Sequence, residues 1–354
     1  MDFQLRRDAA ETAGRLRDWF GEVRGLADVG IDNLSIPSST GASNETILFD
    51  ATWTGPSGTE QHQLVARIAP TSYVVFPEDT FERQFHVMGA LAERSNVPMA
   101  AVHWFEPEKS WFGAPFWIME RVRGQIPGDA QPYALSGWLA EATPRLQRRA
   151  WISGTRAIAA VHTTSLGGLA LDPTLIPTPR DPLDAELERY ERFLAWAEDG
   201  DPYPLAREAL AWLRQNQPAP PAEGPTLVWG DSRLSNLIFE DFEVAAVLDW
   251  EMATIGDPLL DLGWWLFTDE TLTRGVGAQR LPGFLSREET AALWRETTGR
   301  STDALPYFEV FAGLRFTVIM ARMGKLLAER GVLPASFAYD NLFGQGLRRA
   351  MARA

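Results

Sequence analysis

The stretch Thr226-Leu227-Val228-Trp229-Gly230-Asp231-Ser232-Arg233-Leu234-Ser235-Asn236-Leu237-Ile238-Phe239 decides the reading of this chain. Leu227 to Trp229 is a short apolar strand, and Asn236 to Phe239 is another. Between them runs a polar loop carrying Asp231 and Asn236. Glu240-Asp241-Phe242 turns the chain, and Val244 to Leu248 reads as a buried strand ending at Asp249. Three polar residues, Asp231, Asn236 and Asp249, thus stand at the ends of short buried strands. They are separated by five and then thirteen positions.

A phosphoryl-transfer site needs such a set. One carboxylate accepts the proton of an attacking hydroxyl, while an amide and a second carboxylate hold Mg²⁺ against nucleotide phosphates. The interval of five between Asp231 and Asn236 equals that of the Asp-x-x-x-x-Asn catalytic loop of kinases. Taken singly, each residue has an ordinary reading: Asp231 and Asn236 as turn residues, Asp249 as the cap of a following helix. Taken together, and followed by Gly256-Asp257-Pro258-Leu259-Leu260-Asp261-Leu262, they favour the chemical reading. Asp257 before Pro258 suits a helix start, and Asp257 and Asp261 read as scaffold.

From Val228 to Leu262 the sequence resembles the aminoglycoside phosphotransferase and choline kinase-like superfamily, whose pattern is His-Gly-Asp-x-x-x-x-Asn, Asp-x-Glu, Gly-Asp-Pro-x-x-Asp-Leu. It is most similar to the branch found beside or fused to acyl-CoA dehydrogenases. The resemblance runs from about residue 30 to the C-terminus. It implies an α+β, protein-kinase-like bilobal fold, with a small β-rich N-lobe and a larger, mainly helical C-lobe. ATP, or GTP, would bind between the lobes with Mg²⁺. By position, Asp231 is the catalytic base, Asn236 and Asp249 are the metal ligands, and Arg233 neutralises the transferring phosphoryl group. Glu251 leans structural. Trp229 replaces the usual His, whose side chain in this fold mainly supports the loop backbone.

Outward from this stretch, the chain divides into residues 1–29, a helical segment; 30–122, the nucleotide-binding N-lobe; and 123–354, the C-lobe. Leu5, Ala9, Ala13, Leu16, Phe20 and Val23 recur at helical spacing over residues 2–28. Strands are expected at Glu45 to Trp53, Gln63 to Ile68, Val102 to Phe105 and Pro115 to Val122. A helix is expected from Thr80 to Glu93. Thr40-Gly41-Ala42-Ser43 forms a small-residue loop suited to phosphates, because small side chains let backbone N–H groups approach. Leu64-Val65-Ala66-Arg67-Ile68 reads like the kinase Val-Ala-Ile-Lys strand with Arg67 in the lysine position. Gln84 stands where its helix partner, normally Glu, is expected, with Glu82 nearby. Met119, Glu120 and Val122 lie on the inter-lobe hinge against the nucleotide base. His162, on an apolar helix, reads as a satisfied packing residue. The aromatic run after Asp261, including Trp264 and Trp265, reads as core with some positions lining a substrate cleft.

Composition narrows the alternatives. The 354 residues carry 33 Lys+Arg against 47 Asp+Glu, a formal charge of -14. Only Lys109 and Lys325 are lysines, so neither lies on the strand that holds Arg67. The acidity argues against nucleic-acid polymers as partners. No cysteine is present, so thiolate metal sites and thiol nucleophiles are excluded. No apolar run has membrane-spanning length. The reading is a cytoplasmic, Mg²⁺-dependent phosphotransferase acting on a hydroxylated small molecule; the resemblance to the dehydrogenase-associated branch tilts that acceptor toward an acyl-linked metabolite. Two other classes stay open: a nucleotide-binding pseudokinase, motivated by Trp229, Arg67 and Gln84, and a metal-dependent hydrolase using Asp231, Asp249, Asp257 and Asp261.

Overall fold

A computed structural model describes residues 7–37, 44–71, 74–128, 132–174 and 176–354. Two compact units emerge, residues 1–75 with 100–122, and residues 76–99 with 123–354. Residues 76–99, placed with the N-lobe from sequence, pack with the larger unit instead, because the buried face of their helix finds its partners there. The N-terminal helix is not a separate segment but part of the smaller unit.

In the smaller unit, α1 (Ala9–Glu22) is capped by Asp8, whose side chain accepts from the Glu11 N–H. The helix is shorter than its apolar spacing suggested. Residues 27–35 instead form β1 (Ala27–Ser35), entered through Gly25 at φ 67° and Asp28 at φ 56°. Gly25 takes the left-handed backbone common just past a helix end, whereas Asp28 lies within β1, where the register with β2 shifts between Ala27 and Gly30. β2 (Glu45–Gly55) and β3 (Gly58–Ile68) form a hairpin, followed by β4 (Val102–Glu106) and β5 (Phe116–Glu120). The antiparallel sheet has the order β1-β2-β3-β5-β4. Leu16, Trp19 and Phe20 of α1 pack on one face against Ile47, Phe49, Leu64 and Phe116. The buried Trp19 indole donates to Glu106 Oε2 at 2.8 Å, which gives a polar handle to an otherwise apolar core.

The larger unit begins with α2 (Phe81–Arg94). It continues through α3 (Trp138–Glu141), α4 (Pro144–Thr163), α5 (Leu166–Leu169), α6 (Pro182–Glu198) and α7 (Pro204–Gln215). Then come β6 (Thr226–Val228), a 3₁₀ turn at Leu234–Asn236, β7 (Leu237–Glu240), β8 (Glu243–Val247) and β9 (Thr254–Gly256). β6 pairs with β9 and β7 with β8, all antiparallel. The chain closes with α8 (Leu259–Gly275), α9 (Arg287–Thr298), α10 (Leu305–Glu329) and α11 (Leu342–Arg353). Asn236, expected to open a strand, ends the 3₁₀ turn one residue before it.

Helices α8 and α10 are buried on most sides, as their largely apolar composition requires. They cross so closely that a Cβ on Gly263 would lie 2.7 Å from the Phe308 carbonyl. No described helix is long and apolar enough to cross a membrane. Because that contact is with backbone, Gly263→Ala is expected to destabilise the protein by about 1–3 kcal/mol through overpacking. Chemical denaturation checks this; an unchanged midpoint would show that α8 and α10 can part without cost.

Candidate active site

The loop between β6 and β7 is built around one buried carboxylate, Asp261, in the first turn of α8. Its Oδ2 accepts the Trp229 N–H at 2.7 Å and its Oδ1 the Gly230 N–H at 2.7 Å. The Asp261 carbonyl in turn accepts the Ser232 hydroxyl at 2.7 Å. His162 Nε2 lies 2.9 Å from Asp261 Oδ2, and the Trp294 indole donates to His162 Nδ1 at 3.0 Å. An indole N–H can only donate, so Nδ1 is the acceptor and the imidazole proton sits on Nε2, facing Asp261. His162 is thus a fully partnered packing residue, and its partners fix its tautomer.

Gly230 has φ 94°, and a Cβ there would lie 2.3 Å from the Met252 carbonyl. Only glycine fits both the left-handed backbone and the close approach. Asp231 follows at once, 6% exposed. Its Oδ1 accepts from the Trp264 indole at 2.8 Å. Its Oδ2 accepts from Asn236 Nδ2 at 2.7 Å and Arg233 Nε at 3.1 Å. Asn236 Nδ2 also donates to the Asp231 carbonyl at 3.0 Å. Three of the residues singled out in the sequence, Asp231, Arg233 and Asn236, therefore form one hydrogen-bonded group.

Asp249 joins this group through the backbone. The Leu248 N–H donates to the Asn236 carbonyl at 2.9 Å. Trp229 Nε1 donates to the carbonyls of Leu248 at 2.7 Å and Asp249 at 3.1 Å. The tryptophan in the usual histidine position therefore supports loop backbone with its single N–H. Asp249 itself sits at φ 59°, a left-handed conformation that a short polar side chain tolerates better than most. It does not cap a helix. Glu251 is buried, and its carbonyl accepts from Arg83 Nη2 of α2 at 3.2 Å. Burial and the neighbouring Arg189 lower the Arg83 guanidinium to about 10.

Four aspartates do not converge on a metal in the hydrolase sense. Asp261 is committed to two backbone N–H groups and His162. Asp257 Oδ1 accepts the Leu259 N–H at 2.9 Å at the start of α8, and burial raises its carboxyl above the ordinary range. The oxygens that suit a hard cation are fewer. With the Asn236 amide nitrogen engaged by Asp231, its Oδ1 remains as a neutral donor, and the Asp249 carboxylate supplies charge.

The residues expected from sequence to meet a nucleotide fall in both units. Arg67 lies on β3 in the smaller unit, opposite Thr46, and its Nη1 donates to Thr46 Oγ1 at 2.8 Å. Met119 and Glu120 end β5, where Met119 is buried and Glu120 Oε1 lies 2.8 Å from His103 Nε2. Val122 follows the strand, half-buried. Gln84 is buried on α2 of the larger unit. Thr40, Gly41, Ala42 and Ser43 lie outside the described residues.

Sequence reasoning took Trp264 as core or cleft lining and missed its bond to Asp231. It also missed Arg315 on α10, which donates from Nη2 to the Gly230 carbonyl at 2.8 Å. The available signal was an arginine inside the apolar run from Tyr307 to Ile319.

Residues 36–299 match the profile of a phosphotransferase enzyme family. Acyl-CoA dehydrogenase family member 10 of Mus musculus is 30% identical over 204 residues, which cover 57% of this chain and 18% of that protein. The chain spans less than a third of the curated relatives it matches. A Ralstonia eutropha protein assigned as an aminoglycoside phosphotransferase superposes with a TM-score of 0.70 at 25% identity, covering 96% of this chain and 98% of its own. A thermostable mutant of aminoglycoside phosphotransferase APH(4)-Ia, solved as a ternary complex with AMP-PNP and hygromycin B, superposes at 0.52. It is 16% identical, with 97% and 100% of the two chains covered.

Replacing Trp229 by Phe keeps an aromatic ring, though a smaller one, and leaves the Leu248 and Asp249 carbonyls without their shared donor. Trp229→Phe is expected to cost about 1–3 kcal/mol, the penalty for unsatisfied buried groups. Urea denaturation measures it. A loss below the error of the fit would mean that the indole N–H does not hold this backbone.

Proposed function

The chain belongs to the phosphotransferase enzyme family, and from that premise we propose that it moves the γ-phosphate of ATP to a hydroxyl of a small molecule, with Asp231 as base. The observation that carries this reading is the arrangement around the Asp231 carboxylate. Trp264 fixes Oδ1, and Asn236 with Arg233 fixes Oδ2. Each carboxylate oxygen has two lone-pair directions, so Oδ1, with one donor, keeps a position for an incoming proton. In the transfer, the acceptor oxygen forms a bond to the γ-phosphorus and its proton passes to Asp231. The bond from phosphorus to the β–γ bridging oxygen breaks, and ADP leaves with that electron pair. Arg233 keeps a positive charge at the mouth of the loop for the phosphoryl oxygens.

Asn236 Oδ1 and the Asp249 carboxylate would hold Mg²⁺. Both are hard oxygen donors, and the Leu248-to-Asn236 bond keeps their backbones together. Bound there, the ion supplies positive charge to the nucleotide phosphates. In the nucleotide-binding role we place Arg67, which can offer a planar fork to phosphate oxygens, together with Gln84, Met119, Glu120, Val122 and the loop Thr40–Ser43. GTP is the other candidate donor. The AMP-PNP and hygromycin B bound by APH(4)-Ia support a nucleotide with a small-molecule acceptor. Similarity to an acyl-CoA dehydrogenase family member supports a hydroxylated, acyl-linked acceptor. A pseudokinase reading loses one of its motives here, because Trp229 supplies the loop support that its replacement of His put in doubt.

Transfer from Mg·ATP to a panel of hydroxylated acyl compounds and aminoglycosides tests the reading. Asp231→Asn is expected to lower transfer by about 10²–10⁴-fold, the usual worth of a general base. ATP affinity by calorimetry should stay within about threefold, since the base is not part of uniform nucleotide binding. Full transfer by Asp231→Asn would refute the assignment.

A further inference from the structure

Arg315 is a cation in a place where the fold gains little from one. It lies in the middle of α10, between Leu314 and Phe316, and is 2% exposed. Its Nη2 donates to the Gly230 carbonyl at 2.8 Å, while Nε and Nη1 are buried without a hydrogen-bond partner. No described carboxylate pairs with it. Its guanidinium carbon instead sits 4.6 Å from the centre of the Trp264 ring and 5.4 Å from that of Tyr190. A buried charge compensated only by two ring faces and one carbonyl is costly compared with an apolar side chain of similar size. Such a cost points to a task other than stability.

The two groups that Arg315 touches identify that task. Gly230 immediately precedes Asp231, and the Trp264 indole N–H is the donor on Asp231 Oδ1. Asp261 grips this backbone by the N–H groups of Trp229 and Gly230. Arg315 grips it from the carbonyl side. We propose that Arg315 is a positioning residue for Asp231, holding the Gly230–Asp231 peptide and seating the Trp264 ring whose N–H orients the carboxylate. The inference rests on the reading of Asp231 as base. Arg315 touches no reacting group, so its effect passes through Gly230 and Trp264. Its positive charge and its planar fork both matter, since the fork stacks on the ring while one arm reaches the carbonyl.

Arg315→Met removes the charge at similar volume, and Arg315→Lys keeps the charge without the fork. Two readouts separate positioning from general support. The first needs no turnover: deuterium uptake by the Trp229 and Gly230 amides, followed by mass spectrometry of peptides spanning 229–236. Arg315→Met should accelerate exchange there and leave the β1–β5 sheet unchanged, with the melting temperature held or raised. The second is basal ADP release from Mg·ATP, with water as acceptor. Here kcat should fall about 10-fold or more in Arg315→Met with KM for ATP within about threefold, as expected when an alignment effect is lost. Arg315→Lys should fall between. Arg315→Met combined with Trp264→Phe should lose no more than the worse single change, because both act on one carboxylate.

Unchanged exchange at 229–236, exchange raised throughout the chain, or a raised KM at unchanged kcat would each overturn the assignment. Should Asp231→Asn release ADP as fast as the wild type, the base assignment fails while the exchange result still judges Arg315. Should Asp231→Asn be inactive and Arg315→Met retain full kcat, only the present inference fails.

Discussion

The buried carboxylate of Asp261 is the constraint on which the site depends. Two backbone N–H groups and an imidazole converge on it, all inside a region sealed from water. Charge-assisted hydrogen bonds of this kind are among the stronger polar contacts in a protein interior. They must be, because the same carboxylate without them would carry the full cost of a buried charge. The outcome is a loop whose shape is set by α8 and not by its own flexible sequence. Asp231 inherits its position from that loop. Its orientation comes from Trp264, three residues beyond Asp261 on the same helix. One helix therefore controls both where the candidate base sits and how it points.

The loop is held from several sides by residues of different chemistry. Asp261 takes N–H groups, Arg315 gives to a carbonyl, and Trp229 gives to the carbonyls of Leu248 and Asp249, just past β8. Glycine at position 230 lets Met252 approach closely enough to close the packing. Preorganisation of this sort matters for phosphoryl transfer, where positioning and electrostatics supply most of the rate. It also explains the large share of tryptophan near the loop. Trp229, Trp264 and Trp294 each combine buried ring area with one directional N–H.

The spacing of Asp231, Asn236 and Asp249 was legible in the sequence because short apolar strands with polar ends have few other uses. The antiparallel sheet of the smaller unit was legible from β2 onward for the same reason of pattern. Strand β1 was not, because the helical spacing of apolar residues runs on past Glu22 and the one stop signal, Gly25, is isolated, with no proline beside it. The packing of α2 with the larger unit was hidden too, since an apolar helix face does not say which partner covers it. Arg315 and Trp264 were invisible as site residues for a further reason. Their partners lie 85 and 33 positions away along the chain, so only tertiary structure brings them together. The scarcity of lysine was visible at once. With neither lysine on β3, the cations at the proposed phosphate positions are arginines, Arg67 and Arg233, inside a chain of net charge -14.

The central claim is that the buried Asp261 carboxylate builds the geometry in which Asp231 acts. Steady-state ADP release from Mg·ATP by Asp261→Asn, with ATP binding measured by calorimetry on the same preparation, tests it most directly. Asparagine keeps the shape but replaces one acceptor oxygen with a donor that faces a backbone N–H. The account predicts a fall in turnover of about 10-fold or more with ATP affinity within about threefold. Wild-type turnover in a folded Asp261→Asn protein would contradict it.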